Sequence, residues 1–576
     1  MQLAKDVKTI YGLYHEVAGY LPNHPLYRFN RLNAKEDSMI EISYSEFEAY
    51  LQKVMLAFKE LGIGPGKKVA VMGETSVQWI ATYVATITLG GTIVPLDPML
   101  LEDELFNFIR ISEASYIVYG PKFVEIFERR GEEFENVTQF ISCQRPTFTL
   151  DPEDEYVSAK YSTFNNILAL GKKIYNEKGF DFALTEHDTN KMSILLFTSG
   201  TTGTSKGVML CERNVCAVLK GIIPVLDVLT PDDAVLSVLP IYHTYEMSAG
   251  ILAPMLYGCT VNISDGIKYV GKNIKQFKPS ILALVPMFAN QLYKTVWNTA
   301  KKSGIEKKLR FGLKLSKFLK KIGIDARRKI FKKVHEGFGG KLKYMIVGAA
   351  ALNPEVAQGL YDMGIQVSQG YGITECAPLI SVVPLTVKNF ASCGKPMPGL
   401  EVIIDKENEG DLSGEIVVKG PNVMLGYFKN EEQTKQVLTD DGWFRTGDYG
   451  YIDEKGYLYI TGRKKNIIIS SDGKNIFPEE IEEYLENLDL VAEVVVVGRN
   501  SEKTHDIEIV ALIYPDEEEC KKAGLTTKEA IHDELAKEVI EINKKLATYK
   551  HIGKIEIRDE PFEKTTTRKI KRNLVK

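Results

Sequence analysis

The stretch ILLFTSGTTGTSKGVML, residues 194–210, decides how the rest of the chain is read. A four-residue apolar run of β type feeds a loop of Thr198, Ser199, Gly200, Thr201, Thr202, Gly203, Thr204, Ser205 and Lys206. Glycine lets a backbone close around an anion, the exposed N–H groups and hydroxyls donate to its oxygens, and the one lysine neutralises charge. So dense a block of these residue types directly after a strand predicts a phosphate-binding turn. It is not the loop of ordinary P-loop ATPases, which requires glycine immediately before the lysine, where Ser205 stands.

Outward from this turn, short apolar runs at 68–72, 116–118, 194–197, 234–239, 281–284 and 344–347 alternate with helical stretches up to about residue 390. That alternation predicts βα units and a mostly parallel sheet. Pro396, Pro398 and Gly399 then punctuate the chain. Short strands at 415–418 and 456–460, separated by Gly, Asp and Asn, predict an antiparallel subdomain. After GRKKN (462–466) the pattern is short and charged, with helix 479–487, strands 493–497 and 508–513 and helix 527–546, as expected of a satellite domain.

With 576 residues, 44% hydrophobic and 26% charged, the chain lies outside the compositions of disordered, fibrous or disulfide-stapled proteins. Its seven cysteines are sparse, odd in number and lack C-x-x-C spacing, which fits a reduced, cytoplasmic compartment and gives no zinc site. The first twenty residues are interrupted by charge and show no export signal. The uncharged run 75–96 is long enough to span a membrane, but its threonines, Gly90, Gly91 and Pro95 favour a buried helix followed by a strand.

The net charge of −4 conceals a segregation. Residues 301–333 carry 14 Lys/Arg against Glu306 and Asp325, a net of +12. Within them Phe311, Leu315, Phe318, Leu319 and Ile322 recur at helical spacing. Two readings stand: a surface helix packed by its apolar stripe, or peripheral attachment to an anionic membrane. Nucleic acid is not the expected partner, since one basic helix without aromatic stacking platforms is a poor footprint.

Two further clusters carry chemistry. In QGYGITECAP (369–378), Tyr371 offers a face for a purine, Thr374 a hydroxyl, and Glu375 a carboxylate suited to Mg²⁺ on a nucleotide. In GWFRTGDYGYID (442–453) and YITGRKKNIII (459–469), Asp448 can accept from ribose hydroxyls and Arg463 can donate to them.

FTSGTTGTSKG, YGITE, GWFRTGD, GRKKN and the terminal KTTTRKIKR follow the order and approximate spacing of the adenylate-forming enzymes, which the whole chain resembles. That superfamily includes acyl-CoA synthetases, luciferases and the adenylation domains of peptide synthetases. YGITECAPLIS, LPIYHTYE and the basic insertion are most similar to the long-chain fatty acid CoA ligase branch. The resemblance implies an α/β fold: a large domain (1–463) of parallel sheets flanked by helices with a small β-barrel-like subdomain, and a mobile α+β domain (464–576). It implies that ATP is cleaved with Mg²⁺ to form acyl-AMP and that the acyl group passes to coenzyme A, or alternatively to an acyl carrier protein.

Carried over residue by residue, Thr198, Ser199, Gly200, Thr201, Thr202, Gly203 and Lys206 would hold the β- and γ-phosphates. Gly348, Ala349 and Ala350, with Tyr371 and Gly372, would frame adenine. Thr374 would meet the α-phosphate and Glu375 the magnesium, while Asp448 and Arg463 would bind ribose. Lys465 occupies the hinge position, and Lys569 aligns with the catalytic lysine, although Arg568 replaces the usual preceding Gly and Ser205 the common Pro. His243 resembles the residue near the acyl carbonyl, with a histidine buried by hydrogen bonding as the other reading.

Overall fold

The computed structural model describes residues 7–31, 39–144, 148–198, 205–470, 474–500, 507–564 and 570–575. They form two compact units. The first holds the described residues of Met1–Thr198, Ser205–Glu401 and Lys419–Phe444; the second holds those of Val402–Val418 and Arg445–Lys576. This grouping by packing places the small sheet before Arg463 with the carboxy-terminal residues.

The first unit is built on two sheets flanked by helices. One has nine strands in the order Lys395–Pro396, Leu379–Val382, Gln366–Gly372, Tyr344–Val347, Ile281–Leu284, Ala234–Ser237, Thr260–Ile263, Pro25–Asn30 and Met39–Ser43. Its six strands from Gln366–Gly372 to Pro25–Asn30 run parallel, and antiparallel strands close both edges. The other has eight, ordered Gly426–Tyr427, Lys206–Cys211, Met192–Thr198, Thr92–Leu96, Lys68–Met72, Tyr116–Tyr119, Gln139–Ser142 and Tyr161–Thr163. The apolar runs read from the sequence are these strands to within two residues at most ends, because each is buried on both faces and bounded by turn formers.

Both sheets are sealed by aliphatic packing. Leu236, Leu282, Leu284, Met345, Val347 and Val367 pack with Ala357 and Leu360 of the helix Pro354–Asp362. Burial of each large aliphatic side chain stabilises by about 1.5–3 kcal/mol. The run 75–96 is likewise interior. Ser76 caps the helix Val77–Thr88 by accepting from the Trp79 N–H, all twelve helical residues are buried, and the strand Thr92–Leu96 follows. Among the described residues no helix is long and apolar enough to cross a membrane.

The basic segment contains the helix Glu306–Lys321, but its orientation differs from the packed-stripe reading. Leu309, Gly312 and Ser316 are buried against the body, whereas Phe311, Leu315, Phe318 and Ile322 face solvent. The inward face carries Gly312 and Ser316 beside Leu309 and Leu313, and a Cβ on Gly312 would press on Ile330 and Phe331. Phe311 and Phe318 are too bulky for that contact.

The second unit has a four-stranded sheet, Glu401–Asp405, Gly414–Lys419, Phe444–Ile452 and Leu458–Arg463. It also has a three-stranded sheet, Val491–Asn500, Ile507–Pro515 and Ile552–Ile557, packed on the helices Pro478–Leu485 and Lys528–Asn543 through Ile481, Leu485, Leu535 and Ile513. None of the seven cysteines is in a disulfide.

Candidate active site

In the nine-stranded sheet, Ala234–Ser237 lies between Thr260–Ile263 and Ile281–Leu284, so successive crossovers leave it in opposite directions. A crevice opens outside the carboxyl ends of parallel strands at such a switch point. The residues singled out from the sequence follow these ends. His243 lies in the loop after Ala234–Ser237, with the Tyr242 ring 4.4 Å away; Gly348, Ala349 and Ala350 follow Tyr344–Val347; Tyr371 and Gly372 end Gln366–Gly372. Tyr245 ties the loops together, its hydroxyl donating to the carbonyls of Ile346 (3.0 Å) and Leu284 (3.3 Å) while its ring lies against Gly348. Ala349 is held at φ +72°, the left-handed region that disfavours a side chain. The Gln369 side chain accepts from the Leu352 N–H and donates to the Phe390 carbonyl, pinning this loop to the neighbouring strand.

Thr374 and Glu375 lie on the short turn Thr374–Cys376, which reverses the chain between two antiparallel strands. A Cβ at residue 372 would overlap the Pro378 carbonyl, so only glycine permits so tight a reversal. Asn422 donates to the carbonyls of Cys376 (3.1 Å) and Leu379 (2.8 Å) and fixes the far side of the turn.

Lys206 begins the second strand of a hairpin, paired with Thr198 at the end of the first, so the two residues flanking the phosphate turn are register partners. The Lys206 ammonium sits 4.7 Å from the centre of the Tyr427 ring, and the Tyr427 hydroxyl donates to the Glu375 carboxylate at 3.0 Å. Burial, and then the Glu375 charge, push the Tyr427 phenol well above its ordinary pKa, so it stays a donor. A cation and a carboxylate are thus held through one neutral side chain; with a magnesium nucleotide bound, Glu375 would be the group to hold the metal and Lys206 the group to neutralise phosphate charge.

In the second unit Asp448 and Arg463 are register partners on adjacent strands, and Arg463 Nε donates to Asp448 Oδ1 at 2.9 Å. The Lys464 ammonium meets Glu415 at 3.0 Å, and the Asn466 amide donates to Glu479 at 2.5 Å. Lys465, between them, is solvent-exposed, yet the protein packed around it and then the nearby Arg463 and Arg572 lower its pKa. Ser199, Gly200, Thr201, Thr202 and Gly203 lie outside the described residues, as does Lys569. On either side of that last segment, Lys564 pairs with Glu493 at 2.5 Å and Arg572 with Glu482.

With this geometry in view, the comparison with known families is decisive. Residues 16–428 match the AMP-binding enzyme family and residues 465–576 the AMP-binding enzyme C-terminal domain. The chain belongs to the AMP-binding enzyme family.

Curated relatives of this AMP-binding enzyme include a chloroplastic long-chain-fatty-acid–[acyl-carrier-protein] ligase of Arabidopsis thaliana, 26% identical over 94% of this chain and 82% of its own. A long-chain-fatty-acid–CoA ligase of Mus musculus is 28% identical over 89% and 74%. ATP-bound MatB from Rhodopseudomonas palustris shares the fold, with a TM-score of 0.73 at 23% identity over 98% of each chain.

Three residues of this AMP-binding enzyme's site were not legible in the sequence. Tyr427 stands outside the quoted motifs, Tyr245 lies inside LPIYHTYE with nothing to mark its role, and both act across the fold on residues far away in the chain. Glu246 is fully buried, accepts from Ser237, and has its pKa pushed up to about 8 by burial; a Cβ on Gly250 would strike this carboxyl. Its nearness to His243 in LPIYHTYE was the one available signal.

Proposed function

We propose that this enzyme is an AMP-forming acid–thiol ligase that activates a long-chain fatty acid. ATP and the acid give acyl-AMP and pyrophosphate; coenzyme A then takes the acyl group. The observation that carries the reading is the linked set Lys206, Tyr427 and Glu375 at the base of the phosphate turn.

A fatty carboxylate attacking the α-phosphate brings two anions together. Lys206 and the turn donors would absorb the triphosphate charge, and a Mg²⁺ ion held by Glu375 would neutralise more of it. Thr374 would donate to the α-phosphate. Lys569 would bridge the attacking carboxylate and the α-phosphate as the new O–P bond forms and the bond to pyrophosphate breaks. The thiol then attacks the acyl carbonyl and AMP leaves. Asp448 and Arg463 would exchange part of their mutual contact for the ribose hydroxyls, and His243 would face the acyl carbonyl. We place the domain boundary at 463/464, with Lys465 as the pivot that withdraws Lys569 before the thiol enters.

The fatty-acid CoA ligase and acyl-carrier-protein ligase relatives support the acid class, and they also keep a carrier-protein thiol as the second acceptor. A cytoplasmic location belongs to the same reading. Purified enzyme given fatty acids of graded length, ATP, Mg²⁺ and either coenzyme A or a phosphopantetheinylated carrier should release AMP and pyrophosphate and form one thioester. No AMP from any acid would overturn the assignment, and thioester on the carrier alone would replace the acceptor.

A further inference from the structure

Most apolar side chains at helical spacing turn inward; the row Phe311, Leu315, Phe318 and Ile322 on and just after Glu306–Lys321 does not. Phe311, Leu315, Phe318 and Ile322 follow i, i+4, i+7 and i+11, one continuous ridge, and Phe311 is 66% exposed, Phe318 60% and Ile322 56%. Ile324, just beyond the helix, extends the ridge and is 51% exposed. A row of large exposed apolar groups on a well-ordered helix marks an interaction surface.

The helix is not loosely placed. Its opposite face, with Leu309, Leu313 and Ser316, is locked down. Leu309 and Leu313 join a cluster with Ala300, Phe331 and Met363, and Ser316 donates to the Asp362 carbonyl. Lys317 pairs with Asp362 at 3.0 Å, and Lys320 and Arg327 lie over the Tyr361 ring. These inward-reaching cations have protein partners.

The outward face is different. Lys307, Lys314 and Lys321, seven residues apart, run along one flank of the ridge, and Lys308 lies on the other; all four are exposed. The segment's two carboxylates are already matched, Glu306 to Arg310 at 2.8 Å and Asp325 to Arg327 at 2.6 Å. An apolar ridge bordered by lysines, with its acids neutralised, complements a surface that is oily beneath and anionic above.

We propose that Glu306–Lys321 docks in the plane of an anionic lipid bilayer, with Phe311, Leu315, Phe318 and Ile322 entering the acyl boundary and Lys307, Lys308, Lys314 and Lys321 meeting lipid phosphates. The helix is about 24 Å long at 1.5 Å per residue, enough to lay the whole ridge flat. This surface is separate from the nucleotide site, and lipid binding is measured without substrates, so it stands or falls independently of the ligase reading.

The full chain is floated with vesicles of phosphatidylcholine alone or with added phosphatidylglycerol. Binding should need the anionic lipid and weaken at high salt. Phe311→Ser with Phe318→Ser should lower partitioning about tenfold or more. Lys307→Gln, Lys314→Gln and Lys321→Gln should each lower it about fivefold on anionic vesicles. Because all five residues are exposed, melting temperatures should match wild type; if the serine pair misfolds, the lysine series decides alone. Equal binding to neutral and anionic vesicles, no binding to either, or variants that float like wild type would overturn the proposal. So would a lipid-free dimer that the serine pair dissolves, which would make the ridge a self-association surface.

Discussion

The two units hold their functional side chains by different physics. In the first, the groups sit on strand ends and turns fixed by backbone ladders and neutral donors: Tyr427 on Glu375, Asn422 on the turn carbonyls, Tyr245 across two strand ends. In the second they are held by charge. Asp448 pairs with Arg463, Lys464 with Glu415, Arg445 with Asp405 and Glu415, and Lys564 with Glu493. A backbone-fixed site keeps one geometry throughout a reaction. In the pairs of Asp448 and Glu415 the carboxylate is buried and the cation largely exposed, so the cation can change partner, whereas the acid must be given another donor. The first arrangement would suit a nucleotide cradle, and the second is what the proposed pivot at Lys465 would require.

That contrast can be broken at four points. Lys569→Ala should cost about 10²–10³ in adenylate formation, the usual loss for a preorganised electrostatic contact, and spare thioester formation from supplied acyl-AMP. Equal loss in both steps removes Lys569 from the chemistry. Lys465→Pro fixes φ there and restricts Lys464, so thioester formation should fall about 10²-fold with pyrophosphate release retained. Normal overall turnover in this variant would mean that nothing pivots at 465.

A change in the first unit should instead act through nucleotide binding. Tyr427→Phe removes a hydrogen bond to a charged group and should raise the KM for MgATP about tenfold, with little dependence on salt. An effect confined to thioester formation would contradict a fixed cradle. The smallest expected effect is on stability. Glu246 is raised above the ordinary carboxylate range to about 8, so its neutral form is favoured in the fold. Its contribution is complete below the unfolded pKa and is lost as pH rises toward and through 8, at no more than about 1.4 kcal/mol per pH unit. Glu246→Gln should flatten the fall in melting temperature between pH 6 and 9, and an unchanged slope would show that the carboxyl is not the titrating group.

The sequence disclosed what is local. Buried strands such as Lys68–Met72 and Ile281–Leu284 are continuous apolar runs between turn formers, and they are read without knowing their neighbours. Pro25–Asn30 escaped notice because its pairing with Thr260–Ile263 spans more than 200 residues. Lys206–Cys211 opens with Lys and Gly, so its strand character rests on the hairpin partner. Thr374, Glu375, Asp448 and Arg463 could be named as candidates because they sit in ordered motifs. Tyr427 was not, since nothing in LGYFKN says that its hydroxyl meets a carboxylate 52 residues earlier. For the basic helix, periodicity gave the spacing of the stripe but not its phase relative to the body, and that phase reverses its meaning.

One constraint reaches beyond catalysis. Because the carbonyl of Pro378 fills the space a side chain at Gly372 would need, and the ladder rejoins at Leu379, any larger residue at 372 would dislodge the loop bearing Thr374 and Glu375. Evolution or a protein engineer altering this enzyme is therefore freer to change the surrounding walls than this short bend.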